Sequence, residues 1–167
     1  YLSSPKDFND LFDCRITHDI GLLDTDEKIW AFVKILCNNQ RDMLSAKGQK
    51  AEDAEKTIFT QLKNHKDEEQ RNRNHCTFSK QDEHYGIVSF SELWDSILMW
   101  GHYAINHTAF CVGFYESKLQ DSGLFGKGGM ANYEDDFPSI DPKEEQSTHL
   151  SFIETHTKAK EWGYEKE

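Results

Sequence analysis

Residues 87–115 read IVSFSELWDSILMWGHYAINHTAFCVGFY, and their pattern sets the expected fold. Ile87 to Ser91 alternates apolar and polar side chains and carries β-branched and aromatic residues, as a half-buried strand does. Leu93, Ile97, Trp100 and Ala104 then fall at steps of four, three and four, one stripe of a helix expected over 93–106. His102 and Asn106 share the neighbouring face with Met99 and Tyr103. Ala109 to Tyr115 is a second apolar run of strand length, weakened only by Gly113. The expected order is strand, helix, strand. No other stretch gathers so many aromatics, histidines and hydroxyls, so the expected site lies here.

Upstream, residues 24–46 are expected to form a helix. Asp24 and Glu27 stand close to capping-box spacing, Ile29, Val33, Leu36 and Leu44 form a stripe beside Trp30 and Cys37, and Gly48 is placed to end it. A second helix over 51–65 turns Ala51, Ala54, Ile58 and Leu62 to one side. Residues 63–74 are almost entirely polar, which predicts a solvated helix extension or a mobile loop. Together 24–75 reads as a helical insertion packed on one side of a sheet. In Pro5 to Cys14, the side chains of Asp7, Asn9, Asp10 and Asp13 suit turns, and Phe8, Leu11 and Phe12 would pin such a turn to the core. Asn9 and Asp10 also have the chemistry to hold a ligand's hydroxyls or a metal.

Downstream, 121–130 is a glycine-rich loop, with no Lys-Ser or Lys-Thr pair to make it a phosphate cradle. A turn-rich connector follows over 133–142. Next comes a helix from Glu144 to about His156, with Asp141 as its cap, and then a helical turn leading into a strand over 162–167. Both ends read as if further elements continue beyond them, so the expectation is a single domain over 1–167, clipped at each end.

The 167 residues are enough to bury a core, and although 37% hydrophobic content is low, 13% aromatics supply bulk. A net charge of −11 disfavours a broad nucleic-acid or anionic-membrane surface. No apolar run reaches membrane-spanning length. Cys14, Cys37, Cys76 and Cys111 are scattered with no Cys-x-x-Cys pair, the usage of reduced thiols in a cytoplasmic protein. No metal site is expected, because His102 and His107 are five apart and could meet Cys76 and Cys111 only through tertiary structure. Cys111, inside an apolar run, is expected to be buried and inert.

The spacing of hydroxyls and carboxylates points to a chemistry. Ser89 and Ser91 would lie on one face of a strand, and Glu165 and Glu167 on one face of another. Two adjacent carboxylates repel unless one keeps its proton or meets a donor. Were the two strands neighbours, a serine of the first would orient a glutamate of the second. A carboxylate so held can stabilise an oxocarbenium-like transition state at a ribose.

Three segments, KDFNDLFDC, SFSE followed by LMWGHYAINHTAFCVGF, and KAKEWGYEKE, resemble the uncharacterised bacterial family called domain of unknown function 2971. The chain departs from that family at Leu11, where proline is usual, and near Ala109, where glycine is. The order of a Ser-x-Ser strand, a short helix, another strand and a late Glu-x-Glu is also similar to cholera-toxin-like ADP-ribosyltransferases. That resemblance implies NAD as the substrate consumed, with no metal, and an unidentified macromolecular acceptor, in a toxin or a phage-defence effector. It implies Glu167 and Glu165 as the catalytic pair. Ser89 and Ser91 would bind the nicotinamide–ribose end, with Tyr103 and His102 of the intervening helix completing the NAD-binding set.

The expected fold is therefore α+β: a small, mainly antiparallel mixed sheet flanked by helices, with 24–75 inserted. The expected function is an ADP-ribosyltransferase-like enzyme. The alternative is a non-catalytic ligand- or protein-binding module, with Trp94, Trp100, Tyr103 and Phe114 forming an aromatic pocket.

Overall fold

Thr25 starts the first helix: its hydroxyl accepts the Lys28 N–H at 3.3 Å, while Asp24 pairs with the Lys28 ammonium at 2.8 Å. The cap is thus one residue later than the capping-box spacing placed it. Helix α1 spans Asp26–Asn39 and α2 spans Arg41–Ala46, so the single helix expected over 24–46 is broken at Gln40. Helix α3, Ala51–Asn64, lies against α1 much as its apolar period requires. Ile29, Phe32, Val33 and Cys37 of α1 are buried with Leu44, Leu62, Ile20 and Leu23, and Trp30 stacks on Phe59 at 4.4 Å between ring centroids. This is the larger of two cores among the described residues. Replacing Thr25 by Ala should cost about 1 kcal/mol, a fall of about 2–4 °C in a thermal melt, since one amide of the first turn loses its acceptor. An unchanged melting temperature would mean that water replaces the hydroxyl at no loss.

The structure is a computed structural model. It describes every residue except Tyr1, Leu11, Lys47, Gln49, Asn106, Lys127, Glu145 and Gln146. The expected roles of Leu11 as a core anchor and of Asn106 beside His102 therefore lie outside the described residues.

Helix α4, Lys66–His84, makes 66–74 helical, one of the two forms expected, but as a separate helix after His65 and not a merely solvated extension of α3. It buries almost no apolar surface, and its contacts are polar. The Gln70 side chain accepts the Ile20 N–H at 2.7 Å and donates to the His18 carbonyl at 3.0 Å. The Lys66 ammonium donates to the Leu23 carbonyl, Thr17 donates to Asn74 at 2.8 Å, and Arg15 pairs with Asp82 at 2.9 Å. These bonds fasten 15–23 along the helix. Hydrophobic periodicity carries no trace of them.

The expected sheet is the principal correction. The chain is α+β in the coarse sense, but its only named strands among the described residues are β1, Asn132–Glu134, and β2, Thr157–Ala159, which pair in parallel. Residues 87–91 and 109–115 form no strand: Ile87 makes one antiparallel bridge to Ser3, and the rest, Ser89 and Ser91 included, is irregular. Alternation marks which way side chains would face, but a strand needs a partner for its amides. The helix of this stretch is real but shorter than expected, α5 over Ile97–Tyr103, started by the Ser96 hydroxyl. Helix α6 follows at Glu116–Asp121.

Near the C-terminal end, α7 spans Thr148–His156 and is capped by Ser147, not by Asp141. The final order is reversed from expectation, with β2 first and then a 3-10 turn over Lys160–Tyr164. Leu150 of α7 packs with Ile16 and Ile140 in the second, smaller core. The described residues of 93–130 stay largely outside both cores, with Trp94 73%, Tyr115 75% and Phe110 85% exposed. Among the described residues, no helix is long and apolar enough to cross a membrane.

Candidate functional site: one lysine among three carboxylates

Strand β2 carries Lys158 inward between chain segments far apart in sequence. Its ammonium lies 2.7 Å from Glu167, 3.2 Å from Asp13 and 3.4 Å from Glu165. Asp13 belongs to the turn at 12–15, where the Arg15 N–H meets the Phe12 carbonyl at 3.1 Å and Cys14 is left-handed with φ +59°. Glu165 and Glu167 flank Lys166, also left-handed at φ +49°. The two glutamates therefore converge through a bend, where strand alternation had been expected to align them. The register of the parallel pair sets Tyr133 opposite Lys158, and the Tyr133 hydroxyl accepts the Glu167 N–H at 2.9 Å.

The segment carrying Ser91 closes the other side. The Ser91 hydroxyl donates to the Glu165 carbonyl, and the Glu92 N–H donates to the Lys166 carbonyl at 2.9 Å. Segments 91–92 and 165–167 are thus neighbours, the condition on which the serine–glutamate pairing rested, although neither is a strand and Ser91 holds backbone rather than a carboxylate. Tyr103, the last residue of α5, donates its hydroxyl to Glu165 and receives the Asn9 amide at 3.3 Å. Asn9, read in sequence as a turn residue or ligand holder, thus supports the rim. Ser89 and His102 are exposed and outside this network; the His102 ring lies 5.9 Å from that of Tyr164, nearly parallel to it.

The charge count decides the electrostatics. Three carboxylates share one ammonium, and Glu165 has no exposed surface. Burial pushes the Asp13 carboxyl up to about 6 even with Lys158 beside it. Burial likewise raises Glu165, against the Tyr103 hydrogen bond that favours its charged form. Burial opposes the charge on Lys158, yet the hydrogen bond and charge of Glu167, with Asp13 and Glu165, hold its ammonium above the ordinary value. Burial and the hydrogen bond to Glu165 together raise Tyr103. Asp13 and Glu165 therefore take up protons at higher pH than free carboxyls do.

A pH dependence follows. The folded-state value of about 6 for Asp13 lies above its ordinary 3.8. Its contribution to stability is fully present below the ordinary value and is lost as pH rises through 6. Relative to Asp13→Asn, which does not titrate, the wild type should gain on the order of 2 kcal/mol between pH 7 and pH 4. Thermal melts of both proteins across that range measure the difference. Parallel curves would mean that Asp13 is not held in the burial described.

Two sequence expectations on sulfur and metal bear on the site. Cys111 is exposed and on no strand, contrary to the buried position expected of it, because the run 109–115 pairs with nothing. Cys14, adjacent to the cluster, is buried, and burial pushes its thiol up to about 12. All four cysteines are unpaired. Among the described residues no group of three or more His, Cys, Asp or Glu is placed to hold a metal; the space between the carboxylates here is taken by Lys158.

Sequence reasoning missed Asp13 and Lys158 as members of the site. Lys158 had no signal, because the run that holds it and Lys160 reads as a helical turn ahead of the glutamates. Asp13 had none, because an aspartate in a turn-forming run reads as a cap. Comparison of the chain with protein-family models, with curated proteins and with solved structures finds no match in any of the three.

Proposed function

We propose that the protein consumes NAD as an ADP-ribosyltransferase-like enzyme, with Glu167 the carboxylate nearest the reacting ribose. The observation that carries this reading is the convergence of Ser91, Tyr103, Glu165 and Glu167 in one network. They come from three separate parts of the chain; the resemblance based on motif order implied Ser91, Glu165 and Glu167 among them, while Ser89 and His102 stand outside the network.

In the proposed reaction the bond between nicotinamide and C1′ of the ribose breaks, and its electron pair leaves with nicotinamide. Positive charge develops at the ribose, where a nearby carboxylate lowers its energy. The acceptor's lone pair forms the new bond to C1′, and its proton passes to a carboxylate or to water. Glu165, buried and bonded to both Tyr103 and Lys158, suits positioning better than contact with an acceptor. Ser89 and His102, exposed near the rim, are assigned to NAD, and the acceptor is a macromolecule. Membership of the family called domain of unknown function 2971, a bacterial toxin or defence role and a cytoplasmic setting belong to the same proposal; free thiols fit that setting. The direct test is release of nicotinamide from NAD by the wild-type protein, alone and with lysate fractions as acceptor. No release under any condition rejects the enzyme.

A second reading is favoured by one observation. Trp94, Ile97, Phe110, Phe114, Tyr115 and Leu124 all expose more than half their surface, an apolar display beyond what scattered surface residues need. A binding module would use it. Its aromatic contacts differ from the pocket expected, however: Phe90 meets Phe114 and Phe125 edge-on at 5.6 and 6.2 Å, while Tyr103 turns to the carboxylates.

A further inference from the structure

Five described cations are half-buried: Arg15, Lys66, Arg73, Lys143 and Lys158. Four of them have partners. Arg15 pairs with Asp82, Lys143 with Asp141 at 3.2 Å, Lys158 with its three carboxylates, and Lys66 donates to the Leu23 carbonyl. Arg73 has neither an ion pair nor a hydrogen bond among the described residues. Glu69, one turn earlier on α4, acts on it through space but lies outside ion-pair distance. The guanidinium instead sits over the Phe32 ring, 4.7 Å from its centroid. Burial lowers its pKa, with Glu69 opposing. An Arg presents five N–H donors in a planar fork, and those of Arg73 reach the surface, free to meet an acceptor from solution.

A cleft of about 400 Å³ opens where this fork lies, between α1, α4 and the segment at 142–144. Its walls combine the apolar Phe32 with His18, Asn39, Arg73, Lys143 and Glu144. That size and mixture suit a small molecule with an apolar body and one anionic group. A planar carboxylate or a phosphate matches the fork with two parallel hydrogen bonds. Asp141 already neutralises Lys143, and Glu144, exposed at the edge, adds a negative charge, so among the described lining residues only the Arg73 fork is left to hold an anion. One negative charge fits better than two.

We propose that this cleft is a binding site for a small oxyanion, gripped by Arg73, and that a monovalent organic carboxylate fills it better than phosphate. The site is separate from the carboxylate cluster, and the proposal stands whether or not the protein consumes NAD.

The test is a nitrogen–proton NMR titration of the full chain with sodium benzoate and, separately, with sodium phosphate, at ionic strength matched by sodium chloride. Saturable shifts are expected at the His18, Asn39 and Arg73 amides, with benzoate binding the tighter. Arg73→Gln, which removes the charged fork, should weaken binding about tenfold. Arg73→Lys keeps the charge but not the fork, and should also weaken it; this variant decides the matter if Arg73→Gln does not fold. Tighter binding of phosphate would support the site and reverse the preference for a single charge. Absence of a saturable shift with both anions, shifts confined to other parts of the protein, or undiminished affinity in the Arg73 variants would overturn the proposal.

Discussion

Replacing Lys158 by Met is expected to lower the melting temperature by about 6–20 °C at pH 7, from a loss of about 3–5 kcal/mol. Methionine nearly preserves length and bulk, so the change removes charge and little else. Asp13, Glu165 and Glu167, which approach the ammonium within 3.4 Å, would then face one another without a counter-ion. Removing one partner of a buried pair is worse than removing both, since the remaining charges stay desolvated. Two features distinguish this origin from simple loss of packing. Acidification toward pH 4 should restore much of the stability, as the carboxyls take up protons. Adding Asp13→Asn to the lysine variant should also recover part of it at pH 7. A melting temperature within about 2 °C of wild type would show that water or rearrangement relieves the carboxylates.

The second large effect concerns rate. Glu167→Gln should reduce nicotinamide release from NAD by about a hundredfold to a thousandfold, corresponding to roughly 3–4 kcal/mol of lost electrostatic stabilisation. Glutamine keeps the shape and one acceptor oxygen and loses the charge. Ser91→Ala should cost less, about tenfold, because that hydroxyl holds the Glu165 carbonyl and touches no substrate in this reading. Because Glu167 also pairs with Lys158 at 2.7 Å, thermal melts must accompany the rates. Equal turnover in wild type and both variants would reject the assignment of Glu167 and Ser91.

What the sequence discloses follows from the kind of contact each element makes. Helices α1 and α3 are legible because they bury a stripe: Ile29, Phe32, Val33 and Cys37 on one, Leu62 with Ala54, Ile58 and Phe59 on the other. Helix α4 is not, since Gln70, Asn74 and Lys66 bond backbone and side chains that no periodicity registers. Residues 87–91 have the alternation of a strand, yet pairing depends on another segment, and only Ile87 finds one, at Ser3. The neighbourhood of Ser91 and Glu165 was readable from two short spacings only as a condition. The bend at Lys166 that brings Glu165 and Glu167 onto Lys158 was not, because a left-handed lysine has no compositional mark.

The same cluster bears on the order in which the molecule assembles. Helices α1 to α3 follow one another in sequence, so their contacts close short loops and can form early. Asp13 can meet Lys158, Glu165 and Glu167 only after nearly all the intervening chain has been made and has folded back. Until then its carboxyl and theirs are solvated, mutually independent acids. A helical core can thus exist for a time on the ribosome without any site. Should the activity be toxic to the cell that makes it, that delay is built into the connectivity.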